Sequence, residues 1–273
     1  MMAATYGGKI YTFYQKKTYE YNPANDTWLE KAPIPTSKAQ GSAEVIDDKI
    51  YIVSSLSDKK FHIYDPIRNR WTTGPDIPVS THYAEGAVAN GKIYILGGTS
   101  GEHGTHKMVH VYDPCARTWR KIADTTTISA THSATSVKGE IYMGGGVPIM
   151  DRTEAVYKIF RKYNPITGAT TSLPDMPFKS YHARSVAVGN MIYALGGCGT
   201  SGLTTQYCVD KTTKFAVYNT GATDLSIDEN ISACYCKAAC GEGKYYSLYD
   251  NVCKPAHELT TDFFCNKNNI CEL

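Results

Sequence analysis

The sequence predicts an all-β protein built from short four-stranded sheets that repeat along the chain. Three observations support this prediction. A phrase of the type NGKIYILGG returns five times, an aromatic phrase that ends in Asn-Pro or Asp-Pro follows four of these copies, and Trp follows three of the aromatic phrases at a constant distance.

The repeated phrase is the signature of a β-hairpin. A run of small and apolar residues leads to a turn pair such as Asp-Asp or Asn-Gly, and Ile-Tyr follows the turn. The Tyr residues of the five copies are spaced by 40, 43, 48 and 51 residues: Tyr11, Tyr51, Tyr94, Tyr142 and Tyr193. A period in this range is typical of stacked supersecondary units.

A second hairpin completes each repeat. The aromatic phrases TYEYNP, FHIYDP, VHVYDP and RKYNP end a strand at Pro and begin a turn at Asn or Asp. Trp28, Trp71 and Trp119 each lie seven residues after the Tyr of the phrase. Four-stranded sheets with bulky residues on both faces are covered when they pack radially around an axis. The sequence therefore predicts a β-propeller.

With glycine pairs such as Gly97-Gly98, then Tyr, then Trp in this order, the chain resembles the kelch repeat. The resemblance is greatest to the kelch domains of kelch-like (BTB-kelch) adaptor proteins, and it covers about residues 1–228, which we assign to blades one to five. Thr170 and Leu225 stand where the fourth and fifth repeats would carry Trp. The resemblance implies a protein- or peptide-binding module, which could recognise substrates for a larger assembly such as a ubiquitin ligase.

Residues 229–273 are predicted to form a degenerate, cysteine-rich sixth blade, because Tyr246 in KYYSLY lies 53 residues after Tyr193 and continues the trend of lengthening repeats. The alternative is a five-bladed ring followed by a cysteine-rich C-terminal segment. Six of the nine cysteines lie in the last 40 residues. The candidates for disulfide bonds are Cys198, Cys208, Cys234, Cys236, Cys240, Cys253, Cys265 and Cys271.

The cellular compartment has two interpretations. Dense cysteines in a small segment are typical of disulfides in an oxidising compartment, which favours an extracellular protein. The N-terminus MMAATYGGKIYTF lacks the charged start, apolar core and cleavage site of a signal peptide, which favours the cytoplasm. We expect a cytoplasmic protein, with an extracellular location as the alternative if a signal peptide precedes this chain.

Composition and motifs limit the functional classes. The formal charge of +2 without a long basic run gives no reason to expect nucleic acid or an anionic membrane as a partner. No Gly-rich phosphate loop and no GxSxG motif is present, so we expect no catalytic residues, no cofactor and no metal. The alternative is a secreted propeller that binds or modifies carbohydrate, either mutarotase-like or copper-oxidase-like.

The candidate binding residues lie where loops of a kelch domain open on one rim. The loop between the second and third strands lengthens along the chain, and insertions in repeat proteins collect on one face. We expect the rim to carry Lys38, Gln40, His82, Tyr83, His103, His106, His132, His182 and Arg184.

Three of these histidines, His82, His132 and His182, recur at intervals of 50 residues. This periodicity predicts that they lie on one arc of the rim and titrate near neutral pH. Inheritance of a consensus histidine by each repeat is the alternative explanation.

Overall fold

The structure is a computed structural model. It describes residues 1–38, 41–53, 59–79, 82–100, 104–105, 107–126, 130, 132–148, 156–198, 215–221, 244–247, 252–255, 264–265 and 271–272.

Blades one and two are antiparallel four-stranded sheets whose strands follow chain order. Blade one contains β1 Met2–Tyr6, β2 Lys9–Tyr14, β3 Lys17–Asn22 and β4 Thr27–Glu30. Blade two contains β5 Ser42–Ile46, β6 Lys49–Val53, β7 His62–Asp65 and β8 Arg70–Thr73.

Blade three is also four-stranded, and a small ribbon interrupts its second connection. The blade contains β9 Glu85–Ala89, β10 Lys92–Leu96, β13 Val109–Asp113 and β14 Thr118–Ile122. The ribbon consists of β11 Thr99–Ser100 and β12 Gly104–Thr105.

Blades four and five continue the series. Blade four contains β15 Ser133–Val137, β16 Glu140–Gly144, β17 Phe160–Tyr163 and β18 Thr170–Leu173. The three described strands of blade five are β19 Arg184–Val188, β20 Met191–Leu195 and β21 Phe215–Asn219. The sequence-based prediction of an all-β propeller with repeated hairpins is thus confirmed.

The core lies between neighbouring blades. Four separate clusters of buried apolar side chains fill the spaces between blades one and two, two and three, three and four, and four and five. Tyr64, Tyr112 and Tyr163 occupy the same position on the third strand of blades two, three and four, and all are fully buried. Each blade therefore needs its neighbour in order to bury its face.

Trp71 and Trp119 each join their own blade to the segment that follows the last strand of the preceding blade. Trp71 Nε1 donates a hydrogen bond of 2.8 Å to the carbonyl of Ala32, and Trp119 Nε1 donates one of 3.1 Å to the carbonyl of Pro75. In blade four, Thr170 occupies the Trp position opposite Tyr163, and the Tyr163 hydroxyl donates instead to the carbonyl of Ala123 at 2.7 Å. The loss of Trp in this blade is therefore compensated by its own core Tyr.

Two hairpins are described near the C-terminus. β22 Lys244–Ser247 pairs with β23 Val252–Pro255, and β24 Phe264–Cys265 pairs with β25 Cys271–Glu272. β22 lies within KYYSLY, the segment whose spacing led us to predict a sixth blade. Whether these hairpins belong to a sixth blade stays a prediction.

Candidate functional site

The first strand of each blade lines a central channel. Neighbouring strands in the order β1, β5, β9, β15 and β19 contact each other, and these strands line a cavity of about 630 Å³. Their small residues, such as Ala43, Ala87 and Ala134, keep this channel open. We refer to it as the central channel.

Equivalent positions at the start of these strands carry very different side chains. Ser42, Glu85, Ser133 and Arg184 are the first residues of β5, β9, β15 and β19, and each lies opposite the last residue of the second strand of its blade. The guanidinium of Arg184 in blade five forms a hydrogen-bonded ion pair with the carboxylate of Glu85 in blade three. This pair links the two blades that flank blade four.

A second carboxylate lies close to this ion pair. Glu44, two residues after Ser42, lines the same channel and is half-buried. The Ser42 hydroxyl accepts a hydrogen bond of 2.9 Å from the backbone N–H of Gly86. A methyl group on Gly86 would lie 2.7 Å from Glu44 Oε1, so the absent side chain at Gly86 leaves room for the Glu44 carboxylate.

Burial dominates the protonation of both carboxylates. Burial, with a smaller effect of the nearby Glu44 carboxylate, raises the pKa of Glu85 to about 7 against the opposing effect of Arg184. Burial also raises the pKa of Glu44, against the effects of Ser42 and Arg184. One guanidinium therefore does not fully compensate the desolvation of two carboxylates.

Aromatic rings come together just before Glu85 and Arg184 in the chain, and we call this end of the channel its mouth. The rings of Tyr83 and His182 lie 5.6 Å apart, and the rings of Tyr181 and His182 lie 5.0 Å apart. His82 lies 6.4 Å from Tyr83. Tyr83 lies two residues before Glu85, and His182 lies two residues before Arg184. The same two segments therefore contact each other twice, once through the rings and once through the ion pair. We call His82, Tyr83, Tyr181 and His182 the mouth cluster.

The backbone of the mouth cluster is held in an uncommon conformation. Tyr83 has a φ of 57° and His182 a φ of 58°, in the left-handed region that bulky side chains rarely adopt. His82 and Tyr181 anchor these segments through backbone bridges to Thr99 and Cys198, with N–H···O distances of 2.7 to 2.9 Å. Residues held in such conformations concentrate at ligand sites.

The pKa of His182 departs from the near-neutral value that we expected from the sequence. Desolvation and the positive charge of Arg184 lower the pKa of His182. The imidazole is therefore neutral at physiological pH, and it offers a ring and one donor and one acceptor nitrogen to a ligand.

Four of the nine residues predicted on the rim lie together at the mouth: His82, Tyr83, His182 and Arg184. Lys38 is fully buried, and its ammonium donates a 2.8 Å hydrogen bond to the carbonyl of Lys60. His132 is 4% exposed and borders a small separate cavity beside Arg161. These two placements correct the sequence-based rim, and His132 does not complete the expected arc of three histidines.

The remaining rim candidates, Gln40, His103 and His106, lie outside the described residues, as does Cys208, so their roles stay predictions. Cys115 carries a thiol rather than a disulfide.

Glu44 and Glu85 were not among the sequence-based site residues. A usable signal was present, because each is the only charged residue within a strand of small and apolar residues, in SAEVI and EGAVA. A charge in such a strand indicates a polar feature on the inner side of the ring.

Among the described residues, no group of three or more His, Cys, Asp or Glu side chains is arranged to hold a metal ion. Within that same part of the chain, no helix has the length and apolar character needed to span a membrane.

Comparisons with known proteins agree with the architecture. A family model described as "Kelch motif" matches residues 80–126, which include all four strands of blade three. A solved structure described as "Structure of YjhT" is similar to this chain with a TM-score of 0.63 and 14% sequence identity, and the match covers 72% of each chain. A search of curated proteins found no match. The chain is therefore an all-β propeller that carries a kelch motif in its third blade.

Proposed function

We propose that this protein is a protein- or peptide-binding propeller whose ligand docks on the mouth cluster and reaches into the central channel. The observation that carries the proposal is the contact between Tyr83 and His182, two bulky residues with left-handed backbone conformations. Such strain persists only where the surrounding structure enforces it, and it is concentrated in ligand-binding segments.

The shape and chemistry of the site support a ligand of extended form. A channel of about 630 Å³ is large enough for one or two amino-acid side chains. Tyr and His at the mouth offer apolar ring faces together with polar atoms, a combination enriched in protein interfaces. Arg184, with a side chain 49% exposed, is accessible beside these rings.

The resemblance to kelch-like adaptors extends the proposal to a substrate-recognition role in a larger assembly such as a ubiquitin ligase. That role requires a partner or a further region to connect the propeller to the rest of the assembly.

A pull-down with the full chain tests the proposed function. Wild type is compared with the double variant Tyr83→Ala, Arg184→Ala, and Ile166→Ala serves as the control because Ile166 is 82% exposed on the turn between β17 and β18. We expect partners that wild type and the control retain and the double variant loses. Each such partner is then purified and its affinity measured, and identical partner sets for all three proteins would contradict a site at the mouth.

A second candidate function is carbohydrate binding. The rings of Tyr83 and Tyr181, together with the two carboxylates that line the channel, suit a sugar ring, which presents C–H groups to aromatic faces and hydroxyls to carboxylates. A glycan array with wild type and Tyr83→Ala distinguishes the two candidates, since binding of a defined glycan that depends on Tyr83 would favour the carbohydrate.

A further inference from the structure

Blade one carries an N-glycosylation acceptor triplet at the turn between its two outer strands. Asn25, Asp26 and Thr27 have the form Asn-x-Thr with x other than Pro, which is the pattern that N-linked glycans require. All three residues are exposed, at the turn that joins β3 to β4. Because such triplets also occur by chance, the contacts of the asparagine in the folded chain matter more than the pattern.

The shape of this turn depends on the neighbours of Asn25. Asn22 Oδ1 accepts a hydrogen bond of 3.0 Å from a backbone N–H within the turn, and Asp26 Oδ1 accepts one of 2.8 Å from the Tyr21 hydroxyl. Among the described residues, the Asn25 side chain makes one hydrogen bond, which its Oδ1 accepts from the Thr27 hydroxyl at 2.6 Å. The two groups that define the triplet therefore lie together, and the Asn25 amide nitrogen can form a covalent bond without loss of a contact that shapes the turn.

The equivalent turn of blade two shows which position the fold needs. Asn69 corresponds to Asp26, since each directly precedes the fourth strand of its blade, and Asn69 likewise accepts a hydrogen bond from a core tyrosine hydroxyl. The position of Asn25, one residue earlier, has a different side chain in each of the next three blades: Arg68, Ala116 and Thr167. The repeated fold therefore places no demand on Asn25.

The turn lies at the end of blade one opposite the mouth. First strands begin at the mouth, as β9 does at Glu85 and β19 at Arg184, and successive antiparallel strands reverse direction. The third strand therefore ends on the far side, and β3 and β4 are the strands of blade one farthest from the channel. A glycan on Asn25 would leave the mouth cluster accessible to a ligand.

The last hairpin of the chain adds support for an oxidising compartment. Cys265 of β24 is paired directly with Cys271 of β25. Paired residues on antiparallel strands have Cα atoms about 4.5 or 5.5 Å apart, which is within the range of a disulfide. This register and the density of cysteines in the last part of the chain both favour the extracellular alternative, and N-glycosylation belongs to secreted proteins.

We propose that Asn25 carries an N-linked glycan and that the chain matures in the secretory compartment. In the transfer step, the side-chain nitrogen of Asn25 forms a bond to the anomeric carbon of an oligosaccharide carried on a lipid pyrophosphate. The bond from that carbon to the pyrophosphate oxygen breaks and leaves its electron pair on the oxygen, and the amide nitrogen loses one proton. This inference commits to the extracellular alternative and does not depend on the peptide-binding function.

Mass spectrometry of the full chain, isolated from the cells that produce it, tests the modification directly. Peptide N-glycosidase in heavy-oxygen water converts each glycosylated asparagine into an aspartate that carries the oxygen label. We expect this label at position 25. A peptide with an intact, unmodified Asn25 would overturn the proposal.

Four variants of the full chain, secreted from cultured cells behind an added leader peptide, test the role of the turn. Asn25→Gln and Thr27→Ala should each lose one glycan on a gel, whereas Thr27→Ser keeps the hydroxyl and should retain the glycan. Asn230→Gln removes a second triplet, Asn230-Ile231-Ser232, which lies outside the described residues. After removal of glycans, Asn25→Gln and wild type should have the same melting temperature, because Asn25 is exposed.

Two results with the secreted chain would overturn the proposal. One is a glycan that persists in Asn25→Gln and disappears in Asn230→Gln, because it would assign the modification to the second triplet. The other is a glycan on Asn25 of the secreted chain together with an intact Asn25 in the isolated protein, because the natural chain would then never meet the glycosylation machinery.

Discussion

Arg184 of blade five donates a hydrogen bond to Glu85 of blade three, across a separation of 99 residues in the chain. The same two segments bring Tyr83 against His182. These two contacts connect the blades on either side of blade four at the mouth of the channel. The aromatic and charged parts of the site are consequently built on one pair of segments, and a change in either part should affect the other.

The buried Glu85 should make stability depend on pH. Its pKa is raised from 4.5 to about 7, so the folded state binds the proton more tightly than the unfolded state does. The corresponding stabilisation is complete below pH 4.5 and is lost as the pH rises through 7. Between pH 5 and 8, we expect the free energy of unfolding of wild type to fall by about 2 to 3 kcal/mol relative to that of Glu85→Gln.

Urea denaturation of both proteins at pH 5 and pH 8 measures this difference. Glu30→Gln, which removes an exposed carboxylate in β4, is the control and should follow wild type. A Glu85→Gln variant with the same pH dependence as wild type would contradict a raised pKa at this residue.

Glu20 should show the opposite pH dependence. Burial alone would raise its pKa, but hydrogen bonds from Lys9, Tyr11 and Lys31 lower the pKa to about 2. The stabilisation is therefore present above pH 4.5 and is lost as the pH falls towards 2. We expect Glu20→Gln to lower the free energy of unfolding by about 2 to 3 kcal/mol at pH 7 and by much less at pH 2.5.

Guanidinium chloride denaturation at the two pH values tests the Glu20 network, and peptide binding at pH 7 supplies a second readout. Glu20 lies in blade one on β3, away from the first strands that line the channel, so the affinity for peptides should not change. A constant cost of Glu20→Gln across the pH range would argue against the ionic origin of its contribution.

The stability cost of a Trp28 substitution tests whether a sixth blade packs on blade one. Trp71 packs against Phe13 of the preceding blade with ring centroids 5.8 Å apart, and Trp71→Ala should cost about 3 kcal/mol of stability. Trp28 occupies the equivalent position in blade one and is 59% exposed. If residues 229–273 supply a sixth blade that packs on blade one, Trp28→Ala should cost a similar amount in the full chain.

Thermal denaturation of the two variants, with Ile166→Ala as the exposed control, distinguishes six blades from five. A cost below about 1 kcal/mol for Trp28→Ala would favour a five-bladed ring with a separate C-terminal segment.

The redox state of the cysteines tests the predicted cellular compartment. If the disulfide candidates are bonded, mass measurement of the unreduced protein after alkylation should find several pairs, including Cys198 with Cys208. Reductant should then lower the melting temperature, because each bond restricts the unfolded chain and thereby stabilises the folded state by a few kcal/mol. Alkylation of all nine cysteines in the folded protein, without an effect of reductant, would favour the cytoplasmic interpretation.

The repeated architecture was predictable from the sequence because its determinants are local. Turn pairs such as Asn90-Gly91, strand alternation and the Tyr to Trp spacing each act within a few residues, and the observed hairpins follow them. The placement of Tyr64, Tyr112 and Tyr163 in the core likewise follows from one position repeated in three blades.

The tertiary structure alone decided which residues form the site. The contact of Tyr83 with His182 and that of Glu85 with Arg184 depend on the angle between blades three and five around the axis, and no local pattern encodes this angle. The burial of His132 has the same origin, because histidines with equal spacing in the chain experience different neighbours once the blades pack. The sequence by itself thus determined the blade, whereas the packing of blades around the channel determined the chemistry at its mouth.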